Sequence, residues 1–106
     1  MPSARDKALD KGRKLIGLLK TNGIDVYEAY LFGSVAMDKA DEYSDIDIAI
    51  VSEDFTGIPF YDVKKISKFR RAVDLRLEVH PFSLSDILHD PPLFFVDIKD
   101  KGVQIN

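Results

Sequence analysis

Cysteine is absent from the 106 residues, which excludes disulfide staples and thiolate metal sites. No apolar run approaches the roughly 20 residues that a membrane-spanning helix requires. The chain does not open on a signal-peptide pattern either, so a cytoplasmic protein with no membrane contact is the expectation. Positive charge is not in surplus: the formal net charge is −3, which argues against a direct nucleic-acid binder. Internal repeats and low-complexity stretches are missing as well. What remains is an ordinary globular composition, 45% hydrophobic and 31% charged, in a length that suits one domain over residues 1–106 and not two.

Periodicity divides the chain into alternating helices and strands. Ser3 to Asn22 reads as an amphipathic helix, with Ala8, Leu15, Ile16 and Leu19 at helical spacing and Asn22-Gly23 as its stop. Ile24 to Phe32 reads as a strand broken by Gly33-Ser34, and Val35 to Ala40 as a short helix beginning at that break. Asp45 to Val51 is the clearest strand: Ile46, Ile48 and Ile50 share one face, Asp45, Asp47 and Ala49 the other. Phe60 to Arg71 follows as a basic amphipathic helix, whose lysines and arginines suit a solvated face or a docking surface for an acidic partner. Ala72 to Val79 alternates as a third strand, with Asp74, Arg76 and Glu78 on one side and His80-Pro81 as its end. His80 reads as structural and His89 as a surface residue. Ser83 or Ser85 caps a short helix, Pro91-Pro92 opens a last one to about Lys101, and Val103 to Ile105 adds an edge strand. The fold class is therefore α/β (α+β): a two-layer mixed β-sheet with helices packed on one face and an acid-bearing working surface on the other.

The chemistry concentrates in Gly33-Ser34, a ten-residue spacer, and Asp45-Ile46-Asp47. Carboxylates two apart on a strand point to the same side, roughly 6.5–7 Å apart along the backbone. Asp74 joins them if the third strand pairs with the second in suitable register. Carboxylates gathered this way repel one another unless a cation sits among them. Oxygen donors favour Mg²⁺ or Mn²⁺ over zinc. Two such ions clamp the attacking and leaving oxygens of an in-line phosphoryl displacement. Glycine lets backbone N–H groups approach a phosphate, and the Ser34 hydroxyl can donate to one.

The run Leu31-Phe32-Gly33-Ser34, nine residues, then Ser44-Asp45-Ile46-Asp47-Ile48-Ala49-Ile50-Val51 resembles the nucleotidyltransferase superfamily typified by DNA polymerase β, and its size is similar to the minimal nucleotidyltransferases. The later run Val73 to Phe82 resembles the third-carboxylate strand of that group. The resemblance implies the two-layer nucleotidyltransferase fold and Mg²⁺-dependent transfer of a nucleoside monophosphate, AMP from ATP, with two metal ions. It makes Gly33 and Ser34 triphosphate binders, Asp45 and Asp47 metal ligands, and Asp74 the third catalytic carboxylate and metal ligand, with Glu78 as its rival. The spacer departs from the family pattern, holding Met37, Asp38 and Asp41 with Lys39 as its single cation, where relatives carry basic residues.

Larger relatives continue into a helical domain that holds the acceptor, so the resemblance also implies an acceptor on another chain. In minimal nucleotidyltransferases that partner is often a small helical HEPN ribonuclease toxin, which the nucleotidyltransferase neutralises as antitoxin, in some cases by adding AMP to a tyrosine. Homo-oligomerisation stays open. The alternative is a catalytically weak binding module that neutralises a helical partner by docking alone.

Overall fold

The computed structural model describes residues 3–37 and 44–106. Helix α1 runs Ala4–Thr21. Its start is a reciprocal capping box: the Ser3 hydroxyl accepts from the Asp6 amide, and Asp6 accepts from the Ser3 amide. Ala8, Gly12, Leu15, Ile16 and Leu19 form its buried stripe, as their 3.6-residue spacing predicts. Strand β1 (Glu28–Phe32) is shorter than its apolar run, because Ile24 and Val26 enter the core from a loop before pairing begins. Helix α2 (Gly33–Ala36) follows directly, one residue pair earlier than the sequence suggests. Met37 is the cap of α2 and does not continue it; residues 38–40 of the expected Val35 to Ala40 helix, and Asp41 after them, lie outside the described residues.

Strand β2 (Ile46–Ser52), helix α3 (Pro59–Val73) and strand β3 (Leu77–Ser83) form the next unit. Asp62, 1% exposed, ties the intervening loop to α3 by accepting from the Thr56 amide at 2.7 Å, the Thr56 hydroxyl at 2.9 Å and the Gly57 amide at 2.9 Å. Helices α4 (Leu84–His89) and α5 (Leu93–Lys101) and the two-residue strand β4 (Val103–Gln104) complete the described chain. Ser83 is the cap of α4, its hydroxyl accepting from the Asp86 amide.

The third strand is displaced from its expected position. The alternation over Ala72 to Val79 suggests a strand, but Ala72 and Val73 continue α3, residues 74–76 form a turn, and pairing starts at Leu77. Leu75, expected on the core face, is 73% exposed. Pro81 lies inside the strand and does not end it, since β3 is at the sheet edge, where a missing backbone N–H can face away from the ladder.

The sheet has the order β3-β2-β1-β4. Strand β1 pairs antiparallel with β2 and β4, and β2 pairs parallel with β3, so the sheet is mixed as expected. On one face, Ile46, Ile48, Ile50, Leu77 and Val79 pack with the apolar stripe of α1 and with Ile66 of α3 in the main core. Each fully buried Leu or Ile contributes about 1.5–3 kcal/mol by leaving water. On the other face, Tyr30, Ala49 and Val51 pack with Phe95 and Ile98 of α5 in a smaller cluster. Among the described residues no helix is long and apolar enough to cross a membrane.

Candidate active site

Register sets the site. Along the face bearing the smaller cluster, Phe32 pairs with Asp47 and Asp47 with Glu78; the next row is Tyr30, Ala49 and His80. Helix α5 covers the far rows. The row of Phe32, Asp47 and Glu78 lies at the end where β1 gives way to α2, and Asp47 keeps 24% side-chain exposure there while Glu78 is exposed.

Gly33 and Asp47 meet as the spacing predicts. Gly33 has φ +77°, a left-handed conformation that breaks the extended backbone of Phe32 (φ −144°) and turns it into α2. A Cβ there would lie 2.5 Å from Asp47 Oδ2. Backbone and carboxylate are thus in contact because no side chain intervenes. Ser34 follows on the surface, with its hydroxyl exposed. Asp45 is exposed in the residue before β2. Period-two alternation gives it the same side as Asp47.

Asp47, Glu78 and His80 each place one ligand atom within 4.8 Å of the others. His80 Nε2 is 3.4 Å from Asp47 Oδ1. The imidazole packs edge-on against two rings that also touch each other, 5.0 Å from Phe32 and 5.7 Å from Phe94, which are 5.8 Å apart. The structure therefore puts His80 beside the acidic row, where the sequence assigns it a structural role at a strand end. The parity of Glu78 and His80 carries the signal; reading Pro81 as a strand terminus hides it.

Asp74 is elsewhere. It caps the C-terminus of α3, and its carboxylate serves the turn that follows: Oδ1 accepts from the Arg76 amide at 2.8 Å and Nε at 3.2 Å, and Oδ2 from Nη2 at 3.1 Å. Lys11 of α1 approaches Oδ2 at 3.8 Å. The Arg76 side-chain hydrogen bond is the main reason that Asp74 sits below the ordinary carboxylate range, against a smaller opposing effect of burial. Because α3 extends past Ala72, Asp74, expected as the third carboxylate, precedes the strand, and Glu78, its rival, is the residue opposite Asp47.

A groove of about 330 Å³ runs along Gly33, with Phe32, Met37, Phe94 and Lys101 among its walls. This is the lower end of small-ligand volumes. Lys101 is exposed and bonded to Asp97 at 3.0 Å, which raises its pKa and keeps it cationic. On the other side of Glu78 and His80, a second cavity of about 360 Å³ is lined also by Ser67 and Arg70 of α3.

Two exposed or half-exposed carboxylates with an imidazole, beside a glycine-opened backbone, suit a divalent cation and the phosphates it would bridge. The nucleotidyltransferase domain family matches residues 13–101 of the chain, which spans the whole arrangement from α1 to α5. The chain belongs to the nucleotidyltransferase domain family. Among solved structures it is similar to a protein from Sulfolobus solfataricus, provisionally described as a nucleotidyltransferase and determined at 1.40 Å; the TM-score is 0.68 at 18% identity, covering 95% of this chain and 81% of that one. That likeness concerns the fold. A sequence search of curated proteins finds no match.

Proposed function

We propose that the protein transfers AMP from ATP to a hydroxyl of a helical partner protein, as the antitoxin of an HEPN toxin. The observation that carries the reading is the contact of the Gly33 backbone with Asp47 while Glu78 stands opposite Asp47 in register. Asp45 and Asp47 would hold the cation on the triphosphate, and Asp47 and Glu78 a second one. Such cations neutralise phosphate charge and acidify the attacking hydroxyl. The Gly33 and Ser34 amides, at a helix start, and the Ser34 hydroxyl can donate to phosphate oxygens. Lys101 lines the Gly33 groove together with its partner Asp97, so the pair adds no net positive charge to that of Lys39 in the spacer. In the transfer the acceptor oxygen bonds to the α-phosphorus, the bond to the β-phosphate oxygen breaks, and pyrophosphate leaves as the hydroxyl proton is lost to a carboxylate or water.

Incubation with α-labelled ATP, Mg²⁺ and a helical HEPN-type protein tests the proposal. Label should appear on that protein and disappear with Asp47→Asn. Absence of both label and pyrophosphate with the wild type would contradict it. A second reading, neutralisation by docking alone, draws support from α3, whose exposed Phe60 and Val63 line a groove with Lys64, Lys68 and Arg71. An Asp45→Asn, Asp47→Asn double variant that still neutralises the partner would favour docking.

A further inference from the structure

We infer that His80 is a metal ligand, and that its nitrogen makes the Asp47–Glu78 position prefer a divalent transition-metal ion to Mg²⁺. The inference rests on the reading that a divalent cation occupies this position.

Three observations carry it. The Nε2 atom, not the ring carbon edge, faces Asp47 Oδ1 at 3.4 Å. Nitrogen and the two carboxylates fall within 4.8 Å of one another, so one ion can touch all three without rearrangement of the backbone. The ring is held by its surroundings: it packs edge-on against the touching pair Phe32 and Phe94, and its strand is in register with β2 through Ala49. A ligand fixed in this way loses little rotamer freedom on binding. Strand alternation explains the grouping, since Glu78 and His80 are two apart on one strand and Asp47 is the partner of the first.

The chemistry of the donors then decides the preference. Mg²⁺ takes oxygen ligands and dehydrates reluctantly. Imidazole suits the first-row transition ions, whose affinity for nitrogen donors rises along the Irving–Williams order from Mn²⁺ upward. A site of two carboxylates and one imidazole therefore gains more from Mn²⁺ than a site of carboxylates alone, and gains little with Mg²⁺.

The test uses Mn²⁺ as probe and the whole protein. Electron spin echo envelope modulation of the bound ion should show coupling to one imidazole ¹⁴N in the wild type and none in His80→Gln. In parallel calorimetry, His80→Gln should weaken Mn²⁺ by at least about tenfold, with a much smaller loss for Mg²⁺. Mn²⁺ that binds, is lost with Asp47→Asn, and shows no ¹⁴N coupling in the wild type would overturn the inference while leaving the cation position intact. Mn²⁺ that fails to bind, or binds equally well to Asp47→Asn, would overturn both. The wild-type spectrum decides between these outcomes even if the His80 variant folds poorly.

Discussion

Gly33 is a position where one methyl group has two separate effects. At φ +77° any other residue is strained, and the added carbon would press on Asp47 Oδ2. Gly33→Ala should cost about 1–2 kcal/mol in chemical denaturation. It should reduce transfer by at least about a hundredfold, because a displacement near 1 Å in a catalytic group has that scale of effect. Asp74→Asn should do the reverse, lowering stability by about 1 kcal/mol at neutral pH after allowance for solvent screening, with the site unaffected. The sign follows from its lowered pKa: the carboxylate contributes stability above its unfolded value near 3.8, and that contribution is lost as pH falls through the lower folded value. The difference between wild type and variant should therefore shrink below pH 3.8 in thermal melts. These two residues also show what sequence could resolve. Gly33 and Asp47 were legible from spacing alone. Asp74 and Glu78 share parity, so choosing between them required knowing where α3 ends, and that depends on an Asx-type turn closed by Arg76.

Among the elements, α1 was readable because its burial follows the helical period, α3 because Asp62 and Ile66 bury one turn apart, and β2 as an isoleucine- and valine-rich run buried on both faces. Strand β3 was not, because its alternating run crosses from helix through turn to strand, and its proline sits on an edge where the usual penalty is absent. That displacement moved His80 from a strand end into the row beside the acidic one. The hand-over from α5 to β4 is tight in a way that composition alone does not reveal: a Cβ on Gly102 would lie 2.6 Å from the Ile98 carbonyl oxygen and 2.8 Å from that of Leu31. Neither backbone can yield without disturbing α5 or β1. Gly102→Ala should thus destabilise by about 2 kcal/mol, measured by the denaturant midpoint, despite the helix-favouring nature of alanine.

The whole molecule divides the labour of its sheet between faces. One face carries the main core under α1 and α3; the other is closed at one end by α5 and presents the acidic row at the other. In the proposed function the carboxylates that hold the cation include Asp47 and Glu78, one on each of two parallel strands, and Asp74 is structural. Calorimetric titration of Mn²⁺ into the nucleotide-free protein tests this most directly. Binding should be strong in the wild type, weaker by at least about tenfold in Asp47→Asn and Glu78→Gln, and unchanged in Asp74→Asn. Loss of binding in Asp74→Asn with Glu78→Gln unaffected would contradict it.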